Sequence, residues 1–231
     1  MFSFISETWN PVAGACSHGC VGCWARALAD RHKMSKYQGQ PRIDEKQINR
    51  KFKGGDFVFV QDMSDLFAED VPREVILRVL KQVEESPDAK FLLLTKNPKR
   101  YIDFIHWVPE NCVLGATIES DRIEPRLGKA PNRLSRLSWM VMLRQTIDER
   151  YELGCYELPL FVSVEPILDF NLNDFVKMLK WLRPWAVAVG MDNYGNGFPE
   201  PSLEKTMQLI EELEFNRGIK VFRKTLRESG T

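Results

Sequence analysis

An α/β fold built on parallel strands is predicted by three features of this sequence. Short runs of strand-forming residues alternate about six times with segments whose apolar residues recur at helical spacing. The strand runs are apolar almost throughout, so the sheet they form is buried on both faces by covering helices. At 231 residues the chain suits one sizeable core and is short for two, and no repeat, low-complexity tract or linker divides it, so residues 1–231 are expected to form one domain. An open doubly wound sheet and a barrel share this periodicity, and the pattern does not separate them.

The elements follow in order. Residues 2–5 are a short candidate first strand, and Trp9-Asn10-Pro11 breaks the regular backbone before a cysteine-rich loop. Residues 24–32 are predicted helical because Ala25, Ala27, Leu28 and Ala29 are good helix formers. Strand 57–60 leads to helix 72–84, where Val75, Ile76, Val79, Leu80 and Val83 share one face and Pro72 suits a first turn. Strand 91–94 precedes helix 98–107. Strand 113–118 is followed by a polar, proline-containing loop and a long helix, 133–151. Strand 160–164, helix 174–181, strand 186–191, helix 202–215 and a last strand at 220–222 complete the alternation.

Composition excludes several classes. The 32 basic and 32 acidic residues cancel, so no global field draws the chain to nucleic acid or an anionic membrane. A local excess exists: residues 26–53 hold nine basic side chains against three acidic ones. Such a run is commonly a solvated face; read functionally, Lys33, Lys36, Arg42, Arg50, Lys51 and Lys53 would hold an anionic substrate, nucleic acid included. No apolar run approaches the length of a membrane span, and the first six residues lack the features of a signal peptide. Five cysteines, an odd number with three clustered, fit a reducing cytoplasm and not a disulfide framework.

Those three carry the chemistry. Cys16, Cys20 and Cys23 have the spacing C-x3-C-x2-C, with Gly14, Gly19 and Gly22 allowing the sharp turns and close approach that a loop around a metal centre needs. Soft thiolates favour zinc or an iron-sulfur cluster. Zinc would need a fourth ligand, from His18 or from Cys112 or Cys155, and would make the chain a nucleic-acid-associated module with a structural metal. A cubane on three cysteines would leave one iron without a protein ligand, a position open to a reacting molecule.

Polar residues also collect just after each apolar run, where ligands of parallel α/β sheets bind. Gln61, Asp62, Ser64 and Asp65 follow the second strand, Thr95 and Lys96 the third, Glu119 and Ser120 the fourth, Glu165 the fifth, and Asp192 and Asn193 the sixth. Cys112 and Cys155 precede their strands and belong at the opposite end as ordinary thiols. Each polar group has a structural role open to it as well: Asp65 to cap the following turn, Lys96 and Glu119 to pair with each other, and Thr95 to cap the turn before Pro98.

The motifs carry a resemblance. Glu7-Thr8-Trp9-Asn10-Pro11, Gly14, the cysteine triplet and Trp24-Ala25 resemble the N-terminal signature of the phage Gp37/Gp68-like (DUF5131) branch of the radical S-adenosylmethionine superfamily. Gly22 before the last cysteine and Trp24 after it fit this branch and spore photoproduct lyases. Further matches run in order: Phe57-Val58-Phe59-Val60 with Met63-Ser64-Asp65-Leu66-Phe67, Leu94-Thr95-Lys96-Asn97-Pro98, Leu114-Gly115-Ala116-Thr117-Ile118-Glu119, Val162-Ser163-Val164-Glu165-Pro166, and Val189-Gly190. The resemblance implies a partial (β/α)6 TIM barrel of about six parallel strands, with the cysteine loop after the first.

It further implies a 4Fe-4S cluster on Cys16, Cys20 and Cys23 that cleaves S-adenosyl-L-methionine reductively to a 5'-deoxyadenosyl radical. An external electron donor such as flavodoxin or ferredoxin would supply the electron; the resemblance leaves the substrate open, and it is the basic segment 26–53 that favours an anionic or nucleotide-containing small molecule. By position, Ser64 and Asp65 would meet the methionine amine, Lys96 the methionine carboxylate, and Glu119 and Ser120 the ribose hydroxyls, with Glu165 near adenosine or substrate. One departure stands out: relatives of the photoproduct lyase type place a cysteine beside the serine-aspartate pair, and this chain has Met63. Thymine-dimer repair is therefore not the expected reaction, and no catalytic hydrogen donor is assigned.

Overall fold

The computed structural model describes residues 2–124 and 127–227. Strand β1 (Glu7–Trp9) is followed by β2 (Val12–Ala13), helix α1 (Trp24–Arg31), a single 3-10 turn at Ser35–Tyr37 and β3 (Arg42–Ile43). A regular alternation follows: β4 (Phe57–Val60), α2 (Arg73–Glu84), β5 (Lys90–Thr95), α3 (Lys99–Phe104), β6 (Cys112–Thr117) and α4 (Arg133–Glu152). It closes with β7 (Leu160–Val164), α5 (Leu172–Leu182), β8 (Ala186–Val189), α6 (Leu203–Arg217) and β9 (Lys220–Arg223). Seven strands form one parallel sheet in the order β1-β4-β5-β6-β7-β8-β9, while β2 and β3 form a small antiparallel pair beside it.

Alternate residues of each strand enter two different cores. Val58 and Val60, Phe91 and Leu93, Leu114 and Ala116, Val162 and Val164, and Val187 and Val189 face the helices. The residues between them, Phe57, Phe59, Leu92, Leu94, Val113, Phe161, Ala186, Ala188 and Phe222, face the other way and pack around Phe2, Phe4 and Ile5. In a flat sheet β4 and β9, five strand spacings apart, would be separated by about 24 Å. Phe4 nonetheless touches Phe57 of β4 and Phe222 of β9 at ring distances of 5.0 and 4.4 Å. The sheet therefore curls into a half barrel, with aromatic rings closing its lower end.

This corrects the expectation at residues 2–5. They form no strand; Phe2 and Phe4 stack at 5.6 Å and fill the barrel floor. Their apolar character, which reads as a strand, serves burial on the concave face. The first strand lies later, at β1, and the sheet has seven parallel strands, in keeping with the expected partial barrel of parallel strands. Trp9 belongs to it, fully buried, with its indole N–H donating to the Gln47 carbonyl at 2.8 Å. Elsewhere the periodicity holds. Helix α2 buries the five apolar residues of its stripe, and Asn132, Asn171 and Ser202 cap α4, α5 and α6 by accepting from backbone N–H groups three residues on.

Candidate functional site

The cysteine loop leaves the carboxyl end of β1 and is anchored on several sides. Gln61, in the left-handed region at φ 63°, follows β4. Its side-chain Oε1 accepts from the Val12 N–H at 2.9 Å, and its side-chain Nε2 donates to the Val12 carbonyl at 2.8 Å and to Ser64 Oγ at 2.7 Å. Gly14 N–H donates to Lys36, Ala15 N–H to Gly39, and Ser17 Oγ to Asp70. Gly14, at φ 116°, lies so close to Gln40 that a Cβ there would sit 2.6 Å from its carbonyl oxygen. From the far side Lys129 N–H donates to the His18 carbonyl at 2.6 Å, and a Cβ on Gly128 would sit 2.8 Å from Cys20 Cα. The glycines are thus required by backbone packed on backbone.

Cys16, Cys20 and Cys23 are all half-buried within this loop, and Cys23 Sγ accepts from the Arg26 N–H at the start of α1. Burial chiefly, with the charge of Asp65, pushes the Cys16 thiol up to about 12, and the other two cysteines add to the shift. Burial also raises Cys20, against the opposing charge of Lys96, with Cys23, Glu119 and Asp65 contributing. Cys16 and Cys20, raised by burial, would become thiolates beside a cation such as a metal ion. Among the described residues no three His, Cys, Asp or Glu side chains converge on the position of a single ion. In chemistry, three soft thiols are the kind of donor that an iron-sulfur cluster takes from a protein. Cys112 begins β6 and Cys155 precedes β7, both at the opposite end of the sheet from the loop.

The strand-end residues form a buried polar layer behind the loop. Asp65 is a hub: its Oδ2 is 2.7 Å from His18 Nε2 and accepts from Thr95 Oγ1 at 2.9 Å and Lys96 N–H at 2.8 Å, while Oδ1 accepts from Phe67 N–H. Burial opposes its ionisation, but the hydrogen bond and charge of His18 and the bonds from Lys96 and Thr95 outweigh it and hold the carboxyl below its usual range. Glu119 is fully buried and gripped at both oxygens, by Lys96 Nζ at 2.7 Å and by the Arg136 guanidinium at 2.7 and 3.2 Å. Burial works against its charge too; Lys96 and Arg136 prevail and lower it to about 2.

The remaining expected residues divide. Ser64 is half-buried and accepts from Gln61. Ser120 is buried and donates to the Asp169 carbonyl at 2.6 Å. Glu165 pairs with Lys224 at 2.5 Å. Thr95 accepts from the Asn97 N–H at 2.8 Å, the turn-capping role open to it. Asp192 folds its own loop by accepting from Tyr194 and Asn196 N–H, which places the Asn196 amide where a Cβ on Gly22 would be 2.2 Å away. In the basic segment Lys36 pairs with Asp44 and Arg50 with Glu7, while Arg42 donates to the Gln38 and Gln40 carbonyls. Lys33, Lys51 and Lys53 remain exposed.

Three participants escaped the sequence reading. Arg136 and Arg133 sit in the first turn of α4, where the basic residues of a long helix look solvated, and Lys224 lies just past β9. A usable signal existed: a helix that begins right after a strand-end loop brings its first turn over the mouth of the sheet.

A parallel half barrel with a three-cysteine loop after its first strand is a partial TIM barrel with its candidate site at the carboxyl mouth. A family model described as a protein of unknown function (DUF5131) matches residues 1–146, and the chain belongs to that family. No curated protein matches it in sequence. Among solved structures it is similar to a mutant spore photoproduct lyase, with a TM-score of 0.61 and 11% identity, covering 97% of this chain and 79% of that one. A second spore photoproduct lyase mutant, with bound AdoMet and dinucleoside spore photoproduct, gives 0.55 and 10%, covering 94% and 64%. SuiB of Streptococcus suis gives 0.52 and 10%, covering 97% of this chain and half of its own. At these identities the likeness concerns the fold.

Proposed function

We propose that this chain is a radical S-adenosylmethionine enzyme in which Cys16, Cys20 and Cys23 hold a 4Fe-4S cluster. When bound, cluster and S-adenosyl-L-methionine together supply reductive carbon-sulfur cleavage and a 5'-deoxyadenosyl radical. The observation that carries this reading is the gathering of three mutually interacting, half-buried thiols at the carboxyl mouth of a parallel half barrel, beside Lys96 and Asp65.

The chain's residues divide into contacts and supports. Ser64 and Lys96, which retain exposure, touch the methionine part of S-adenosylmethionine; Lys96 is 22% exposed at its side chain even while paired to Glu119. Asp65, Glu119 and Ser120 are enclosed and already bonded, so they act by fixing His18, Lys96 and the loop 168–171 in place. Glu165, held by Lys224 on the rim, faces adenosine or substrate. A nucleotide-containing substrate is supported by the similarity to a fold that carries a dinucleoside ligand and by exposed Lys33, Lys51 and Lys53. The electron comes from an external donor of the flavodoxin or ferredoxin kind.

The test is anaerobic reconstitution with iron and sulfide, followed by S-adenosylmethionine and dithionite. Formation of 5'-deoxyadenosine and methionine, abolished in Cys20→Ala, is expected. A fully assembled cluster that yields neither product under any reductant overturns the enzymatic reading.

A further inference from the structure

Helix α1, which leaves the cysteine loop, is held to the molecule by very little. It buries only Ala25 and Ala29, and it presents Trp24, Arg26, Ala27, Asp30 and Arg31 to solvent. Two alanines supply little hydrophobic energy, so the helix keeps its place through the loop that precedes it. Cys23 Sγ accepts from the Arg26 N–H, and the Arg26 guanidinium donates to the Cys20 carbonyl at 3.0 Å. The exposed face of α1 is therefore an outward extension of the three-cysteine loop.

Apolar surface and positive charge meet on it. Val21, between Cys20 and Cys23, is 47% exposed, and Trp24 is 40% exposed. Arg26 flanks the Cys20 backbone on one side; next to it, exposed Lys129 runs 3.8 Å from where a Cβ on Gly19 would stand. Arg31, seven positions after Trp24, shares its helix face. Among the described residues neither Lys129 nor Arg31 forms an ion pair. Two acids interrupt the positive charge: Asp30, and Asp70, which accepts from Ser17 Oγ. Phosphates of a nucleic acid would meet both, whereas exposed tryptophan and arginine among scattered charges are what protein interfaces use.

We propose that Val21, Trp24, Arg26, Arg31 and Lys129 form the docking surface for an acidic one-electron donor protein. On the radical reading above, on which this surface depends, the donor loses one electron and the cysteine-held centre gains it, with no proton or other reactant exchanged. Acidic side chains around the donor's redox group complement the three cations, and Val21 and Trp24 give the contact a dry centre. Redox encounters are small, commonly below about 1,200 Å2 in total, so a patch of this extent suffices.

Flavodoxin and ferredoxin, small acidic redox proteins, are the probes. Each is titrated calorimetrically into the anaerobically reconstituted protein, as wild type and with Arg31→Glu and Lys129→Glu combined; these changes leave the Lys129 N–H bond to His18 in place. At least one donor binds wild type, more weakly as salt rises, and binds the charge-reversed protein about tenfold more weakly, with recovery in Arg31→Lys combined with Lys129→Arg. Formation of 5'-deoxyadenosine driven by that donor falls in parallel, while formation driven by dithionite, which needs no docking, is unchanged. Binding of neither donor, equal affinity in the charge-reversed protein, or an equal loss with dithionite overturns the proposal. So does a single-stranded oligonucleotide that binds wild type and is lost with the same two residues, which would assign the face to nucleic acid. Wild type that cleaves nothing even with dithionite fails the radical reading and the docking surface together; cleavage with dithionite but no dependence on Arg31 and Lys129 fails the docking surface alone.

Discussion

Glu119 and Asp65 are where single side chains decide most. Glu119 is fully buried and holds two cations, and Glu119→Gln leaves the buried Arg136 without its carboxylate. Removing one partner of such a buried pair costs about 3–5 kcal/mol, which urea denaturation of the variant should register. The pH dependence has a definite sign. Because the folded pKa of Glu119, about 2, lies below its ordinary 4.5, the stability it contributes is full above that ordinary value and is lost as pH falls towards about 2. Asp65, also lowered, acts in the same direction. Wild type should lose stability steeply between about pH 4.5 and 2, and Glu119→Gln less steeply. The cysteine triplet was legible because its residues are neighbours in sequence. Asp65 and His18, 47 positions apart, and Glu119 and Arg136, 17 apart, were not readable as pairs, since nothing local marks which distant charge a carboxylate meets.

Helices and strands were legible where packing imposes a period. The α2 stripe and the apolar β7 sit where the periodicity puts them because each faces a continuous core. Strand β1 was displaced in the reading because it is three residues long and half polar, while Phe2 and Phe4 mimic a strand. The β2-β3 pair, two residues each, left no pattern at all. The loop between β6 and α4 carries a consequence for cluster binding. Gly128→Ala would place a methyl 2.8 Å from Cys20 Cα at φ 133°, forcing the two loops apart. Its far-ultraviolet circular dichroism should match wild type, whereas its iron content after reconstitution should fall by half or more.

The half barrel as a whole is closed at one end and chemically equipped at the other. Phe2, Phe4, Phe57, Phe161, Trp185 and Phe222 seal the floor, and small residues Gly115, Ser163 and Gly190 line the concave face above them. Phe2→Ala should therefore destabilise the molecule by about 3–5 kcal/mol, measured by denaturation, because the cavity lies where no helix can move in to fill it. Among the described residues no helix is long and apolar enough to cross a membrane. What the alternation of the sequence left open, sheet or barrel, is settled by the curvature that lets Phe4 touch both β4 and β9. The most direct measurement is electron paramagnetic resonance of the anaerobically reconstituted, dithionite-reduced protein with and without S-adenosylmethionine. A 4Fe-4S signal that changes on adding S-adenosylmethionine, and is missing in Cys16→Ser, Cys20→Ser and Cys23→Ser, is the expected result. A protein that retains one zinc and no iron, or a cluster signal indifferent to S-adenosylmethionine, would contradict it.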